Sequence, residues 1–333
     1  MSDNIIYSSI FSVQNVITGP AITFGLTLFV AGFYALLFGL STHLLCKRRA
    51  VFNKRLHLIW TAAAFLVSNI GALAKASGGI VDAVYYYEAV RTQDFGPFMA
   101  YTTNGASQTA VIAITYVCYI IANCIADAIL IHRCYILYES RRTILLPLVF
   151  MSFATNAVGI VSVAMKLKAQ TSDLSIASNW KLFLQGGKIQ VGYYCANAGV
   201  NGLLTLMLAG RIWWMGKVTR SFLDPDLDQA RLVDQRYKSV AAVILESGML
   251  YPATLITHAV LIENTSKIGV PIDLTPIAIL MAGIAPTLIN VRISSGKSVE
   301  THYQDSTLDG RNLTFNADSS LQSRSVRTED LKW

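Results

Sequence analysis

Long apolar runs decide what this chain can become. Between Thr109 and Ile131 a single charged residue, Asp127, interrupts an otherwise uncharged and mostly apolar stretch. A helix needs roughly 20 such residues to cross the hydrocarbon core of a bilayer, and a run of this length reads as a membrane span. Seven segments of this kind can be drawn: Ile22–Cys46, Leu56–Ala76, Ser107–His132, Ile144–Met165, Ile189–Met215, Val240–Ile262 and Leu274–Val291. The second and fifth are diluted by Lys75, Asn197 and Asn201. The expectation is an all-α membrane protein: a seven-transmembrane helix bundle over residues 22–291, after a short extracellular segment, residues 1–21.

Composition agrees. Of the 333 residues 53% are hydrophobic and 14% charged, with a mean hydropathy of +0.46, where soluble domains carry roughly 25% charged residues. The net charge of +7 does not point to nucleic acid, because the cations gather between the apolar runs. That is the pattern of loops facing anionic lipid.

Counting Lys and Arg in alternate connections gives orientation. With the amino terminus outside, 20 fall on the cytosolic side and seven outside, which places the carboxyl terminus in the cytosol. Asn264-Thr265-Ser266 then lies in the last outer loop as an N-glycosylation acceptor. The segment 292–333 holds twelve Ser or Thr between Ser294 and Thr328 and lacks apolar periodicity, so it is expected to be a disordered cytosolic tail. Ser323 and Ser325, beside Arg324 and Arg327, are its candidate phosphorylation sites. The outer connection with Tyr85-Tyr86-Tyr87, Phe95, Phe98 and Tyr101 reads as an aromatic belt at the membrane boundary. Leu227 to Tyr237 is expected to extend the sixth helix into the cytosol.

Ionisable groups inside a bilayer are costly and mark function or a partner. Asp127 lies six residues before Arg133, about 9 Å deeper at 1.5 Å per residue. Glu246 sits at a comparable depth in the sixth segment. Asp127, Arg133, Tyr135 and Glu246 therefore form a candidate switch between the third and sixth helices, an ion pair that would break as they separate. Its plain alternative is a static pair that lets the helices pack. Pro286 is a candidate hinge in the seventh helix. Asn123, Asn156, Asn197, Asn201 and His258 read as interhelical hydrogen-bonding groups.

No HExxH, GxSxG or P-loop occurs. His57, His132, His258 and His302 are scattered, and the seventh segment offers no Lys for a retinal Schiff base. No catalytic, cofactor-binding or metal site is assigned, and the chain is read as a non-enzyme.

Ala126–Tyr135, Ala209-Gly210-Arg211-Ile212-Trp213-Trp214, Glu246-Ser247-Gly248-Met249-Leu250-Tyr251 and Gly283–Arg292 resemble the signatures of a family of uncharacterised seven-helix membrane proteins of basidiomycete fungi. The similarity extends to about residue 297. More loosely, the topology is similar to that of G-protein-coupled receptors. His132-Arg133-Cys134-Tyr135 departs from their third-helix motif in lacking an adjacent acid and in separating Arg from Tyr. The expected function is a receptor-like protein of the plasma membrane. Its partners would be the lipid bilayer, an unknown extracellular ligand and a cytosolic signalling protein such as a G protein. The alternative is a transporter or channel for a small solute or ion.

Overall fold

The computed structural model describes residues 14–47, 54–139, 142–172, 174, 176–222, 228–268 and 272–292. The chain divides into two units, residues 1–291 and 292–333; of the second, Arg292 alone is described. Ser323 and Ser325 lie outside the described residues.

Among the described residues there is no strand. A π-helical turn, Gln14–Thr18, leads into α1 (Gly19–Lys47); then come α2 (Lys54–Thr92), the short α3 (Gly96–Asn104), α4 (Ala106–Leu137), α5 (Arg142–Thr171), α6 (Ala177–Phe222) and α7 (Asp228–Ile268). The last helix is α8 (Thr275–Arg292). Six of these helices, all but α3 and α6, are long and apolar enough to cross a membrane. In α6, Asn197 and Asn201 hold the hydropathy down, yet both are buried inside the bundle.

The outer faces explain the composition. Phe29, Leu36, Leu146, Phe150 and Phe153 are each at least 70% exposed, an apolar surface that water would not tolerate on a monomer. Lipid is its natural solvent. Several such helices make the chain an integral, multi-pass membrane protein.

Small residues set the spacing. A Cβ on Gly71 would lie 2.7 Å from the Cβ of Cys118, and one on Gly78 would lie 2.6 Å from a methyl of Val111. These two glycines let α2 lie directly on α4, as small residues do in membrane helix pairs. The second apolar segment ends at Ala76 in the sequence, but Ser77-Gly78-Gly79 after it does not end α2. The helix continues to Thr92, and the tyrosine-rich stretch belongs to it. Tyr85 stacks on Tyr101 of α3 at 4.1 Å, and Tyr86 meets Phe98 at 4.4 Å, so this connection is a packed helical hairpin rather than a loop. At the far end α7 begins at Asp228, which gives the sixth segment its expected helical extension.

The pairs α1–α2, α2–α4, α4–α5, α5–α6 and α6–α7 pack side by side, and α4 also meets α6. In α8, 78% of the residues are buried, against 22–39% of the apolar windows of the other five candidate spans. Gly283 abuts the Tyr34 hydroxyl of α1 and Ser68 of α2, while the hydroxyl of Thr275 is 3.3 Å from Nε2 of His258 on α7. The core is unusually rich in tyrosine: Tyr34, Tyr119, Tyr193, Tyr194 and Tyr251 are each at most 2% exposed. Their hydroxyl groups require partners, and most find them in the site described next.

Candidate functional site

Tyr119, Asn123 and Asp127 recur every four residues on α4, so they share one helix face. The same spacing joins Ser152 to Asn156 on α5, and Tyr193 to Asn197 and Asn201 on α6. These three faces meet, and all eight side chains are at most 8% exposed.

Asp127 is the end of the network. Its Oδ2 accepts from the Ser152 hydroxyl at 2.6 Å and from Asn156 Nδ2 at 3.2 Å; its Oδ1 accepts from Asn201 Nδ2 at 3.0 Å. No ion pair among the described residues includes it. Every contact to the carboxylate is a donor, which suits a group that in its ionised form can only accept.

Upstream, Asn123 Nδ2 donates to Asn156 Oδ1 at 3.0 Å, and the Tyr251 hydroxyl of α7 donates to Asn123 Oδ1 at 3.1 Å. Tyr251 accepts from Asn197 Nδ2 at 3.0 Å and lies 3.3 Å from the Tyr119 hydroxyl. With the one Tyr251 hydrogen committed to Asn123, Tyr119 is the donor in that pair. The donations run Tyr119 to Tyr251 to Asn123 to Asn156 to Asp127, crossing between α4, α7 and α5. A second branch enters from α6, where Asn201 also donates to Asn197 Oδ1 at 2.8 Å. Four helices are thus tied by one directed chain of hydrogen bonds in a region of low dielectric, where such chains strengthen one another.

The sequence reading paired Asp127 and Glu246 with Arg133, and the structure does not bring these together. Six residues at 100° each turn Arg133 about 120° away from Asp127 around α4. The guanidinium points to α8 instead: Nη2 donates to the Asn290 side-chain oxygen and, at 3.5 Å, to the carbonyl of Pro286. Its Nη1 is buried with no hydrogen-bond partner among the described residues. Glu246 is exposed, because the buried stripe of α7 runs through Ile244, Ser247, Tyr251, Leu255 and His258. Tyr135 is half-buried and lines a groove between α4 and α5 with His132 and Phe153. Pro286 is buried within α8, and the helix continues through it. Asn264 is in the last turns of α7 and donates to the Val260 carbonyl at 2.9 Å.

Two features escaped the sequence reading. His57 and His132, 75 positions apart in the chain, have ring centroids 5.5 Å apart and share edge contacts with Trp60. No group of three metal-ligating side chains occurs among the described residues. At the opposite end of the bundle from Arg133, Lys75 of α2 pairs with Asp273, just before α8, at 3.1 Å. Burial alone would raise the Asp273 carboxyl, but the Lys75 ammonium and hydrogen bonds from Thr275 outweigh it and hold the group down at about 2. At the same end a cavity of about 470 Å³ opens between α4, α5, α6, α7 and α8, with Lys166, Tyr116 and Tyr194 in its wall. Tyr116 and Arg133 are 17 residues apart on α4, about 26 Å, with the Asp127 network between them.

No family model matches the chain, and neither a curated protein nor a solved structure is found that is significantly similar to it.

Proposed function

We propose that this is a seven-span, receptor-like protein of the plasma membrane, with the amino terminus outside. A ligand enters the Lys166 cavity from the outer side, and the Arg133 end faces a cytosolic signalling protein, a G protein being the first candidate. α6 is the seventh span, its polar side chains turned into the bundle. The fungal seven-helix family is the natural home of such a chain, and the 20-to-7 distribution of cations supports the orientation.

The observation that carries the reading is the directed hydrogen-bond chain ending on Asp127. It lies between the cavity and the Arg133–Asn290 contact, and it includes side chains from four helices. A sensor needs an element with two discrete arrangements between its two ends. The chain ends on a carboxylate that only accepts while ionised; uptake of a proton there would let Asp127 donate, and Asn156 or Asn201 would have to turn, with their neighbours, to accept. The second reading, a transporter or channel, takes its support from the same carboxylate, which has no ion-pair partner among the described residues.

One experiment separates the two. A proximity-labelling enzyme fused to the carboxyl terminus records cytosolic neighbours of wild type, Asp127→Asn and Arg133→Ala at matched surface level. Alongside it, proton and sodium flux is measured in proteoliposomes. The receptor reading expects neighbours that change with either substitution and no flux. Unchanged neighbours together with flux abolished by Asp127→Asn would establish transport instead.

A further inference from the structure

Two lysines stand inside the outer half of the bundle, and their treatment differs. Lys75 has Asp273 at 3.1 Å. Lys166, only 9% exposed, has no carboxylate within ion-pair distance among the described residues. Its ammonium donates to the Gln190 side-chain oxygen and lies over the rings of Tyr116 (4.8 Å) and Phe183 (5.6 Å). Gln190 is held in turn by the Tyr194 hydroxyl, to which it donates at 2.6 Å. Neutral oxygen and aromatic faces position the cation without neutralising it. A buried charge left in this state is costly, and an ammonium has three donors to place.

The cavity beside it fits a ligand that supplies the missing charge. Its volume of about 470 Å³ is within the range of small-molecule sites. Phe183, Leu184, Val191 and Ile262 give it an apolar wall. Lys181 and Lys188 also line it and are exposed, against one acid, Glu263, so the field draws anions inward. A polyanion such as a phosphate ester would meet only one buried cation. A single carboxylate on an apolar body matches both the charge and the wall.

We propose that this cavity binds a small organic carboxylate with an apolar body, its oxygens on Lys166 and its body against Phe183, Val191 and Ile262. This names the ligand class of the receptor-like reading and rests on it for any signalling consequence, but binding itself is measurable without it. The carboxylate reaches the site either from the bilayer as a fatty acid or from water.

The test uses full-length protein in nanodiscs of zwitterionic lipid. Binding of four compounds is titrated through Trp180 fluorescence and confirmed by calorimetry: decanoate and decanol, 3-phenylpropanoate and 3-phenylpropanol. Trp180 stacks on Phe183 of the cavity wall at 6.0 Å. Wild type is expected to prefer each acid over its alcohol by roughly tenfold, equivalent to about 1.4 kcal/mol. Lys166→Gln should remove that preference, the acid-to-alcohol ratio falling to about one, and Lys188→Gln should lower it by about twofold. A stronger preference in the decanoate pair points to delivery from lipid, and in the phenylpropanoate pair to delivery from water. Equal binding of acid and alcohol by wild type overturns the proposal whether or not Lys166→Gln folds. So does a preference that survives Lys166→Gln. Acid-selective binding with unchanged cytosolic neighbours would sink the receptor reading and leave this site standing.

Discussion

Replacing Asp127 alone is a poor test of its network, because two effects of opposite sign are mixed. Losing a buried carboxylate relieves desolvation, while losing an acceptor strands its donors. A double-mutant cycle cancels the first and isolates each pair. Interhelical hydrogen bonds in membranes average about 0.6 kcal/mol and reach about 1.7. The structure assigns each pair its place in that range. The Ser152 hydroxyl is 2.6 Å from Asp127, its sole acceptor among the described residues, which puts this pair near the upper end. Asn201 Nδ2 keeps Asn197 Oδ1 at 2.8 Å when Asp127 is removed, which puts the Asp127–Asn201 pair near the average. The cycles combine Asp127→Leu with Ser152→Ala, with Asn201→Leu, and with the lipid-facing control Phe150→Ala, in reversible unfolding from mixed micelles. The expected coupling is about 1.5 kcal/mol for Ser152, about 0.6 for Asn201 and zero for the control. The reverse order, or a Ser152 coupling below about 0.3 kcal/mol, would refute the idea that Asp127 terminates a coupled chain.

Gly71→Val should cost about 1–3 kcal/mol by overpacking α2 on α4, read as a lower unfolding midpoint, whereas Gly25→Ala, with open space around it, should be silent. Asn290→Leu should cost about 1.5–3 kcal/mol by removing an acceptor from a charged donor, and Asn290→Asp should retain most of it, both read by the same unfolding measurement. Asp273 has its carboxyl held near 2 in the folded protein, below its unfolded value of about 3.9. Its contribution is therefore complete above about pH 4 and is lost as pH falls toward 2. With the side chain 40% exposed, solvent screening limits this to about 1 kcal/mol; Asp273→Asn should flatten that acid limb of the stability curve.

Six of the seven apolar segments coincide with helices long and apolar enough to cross a membrane; they were legible in the sequence because lipid demands length and apolarity, both of which composition records directly. Helix ends were less so. Ser77-Gly78-Gly79 looks like a stop until Val111 is seen filling the space above Gly78. α6 starts at Ala177, twelve residues before its apolar run, because a helix outside the hydrocarbon layer carries no hydropathy signal. Asp127 was identifiable as a site, but its partners were not, since a charge was sought to match a charge. Asn123, Asn156, Asn197 and Asn201 were legible as interhelical hydrogen-bonding groups, and they are; what tied them to Asp127 was the four-residue recurrence of Asn, Ser and Tyr on three helices, a pattern no single residue shows. Lys166 falls one residue past the fourth apolar segment, where sequence alone places it with the outer cations, and its burial depends on α6 folding back over α5.

The length of α6 and α7 has a mechanical consequence. From Asn201 to the end of α6 there are 21 residues, and from Tyr251 back to the start of α7 there are 23, arms of about 32 and 35 Å. They are braced against each other where Gly216 abuts Tyr237, so a tilt arising at the hydrogen-bond network would carry both arms together. A tilt of about 5° there, too small to break any helix, displaces the tip by about 3 Å at this length. At that length, an adjustment in the bundle that tilted the pair by this amount would be a movement the size of an atom at the far end.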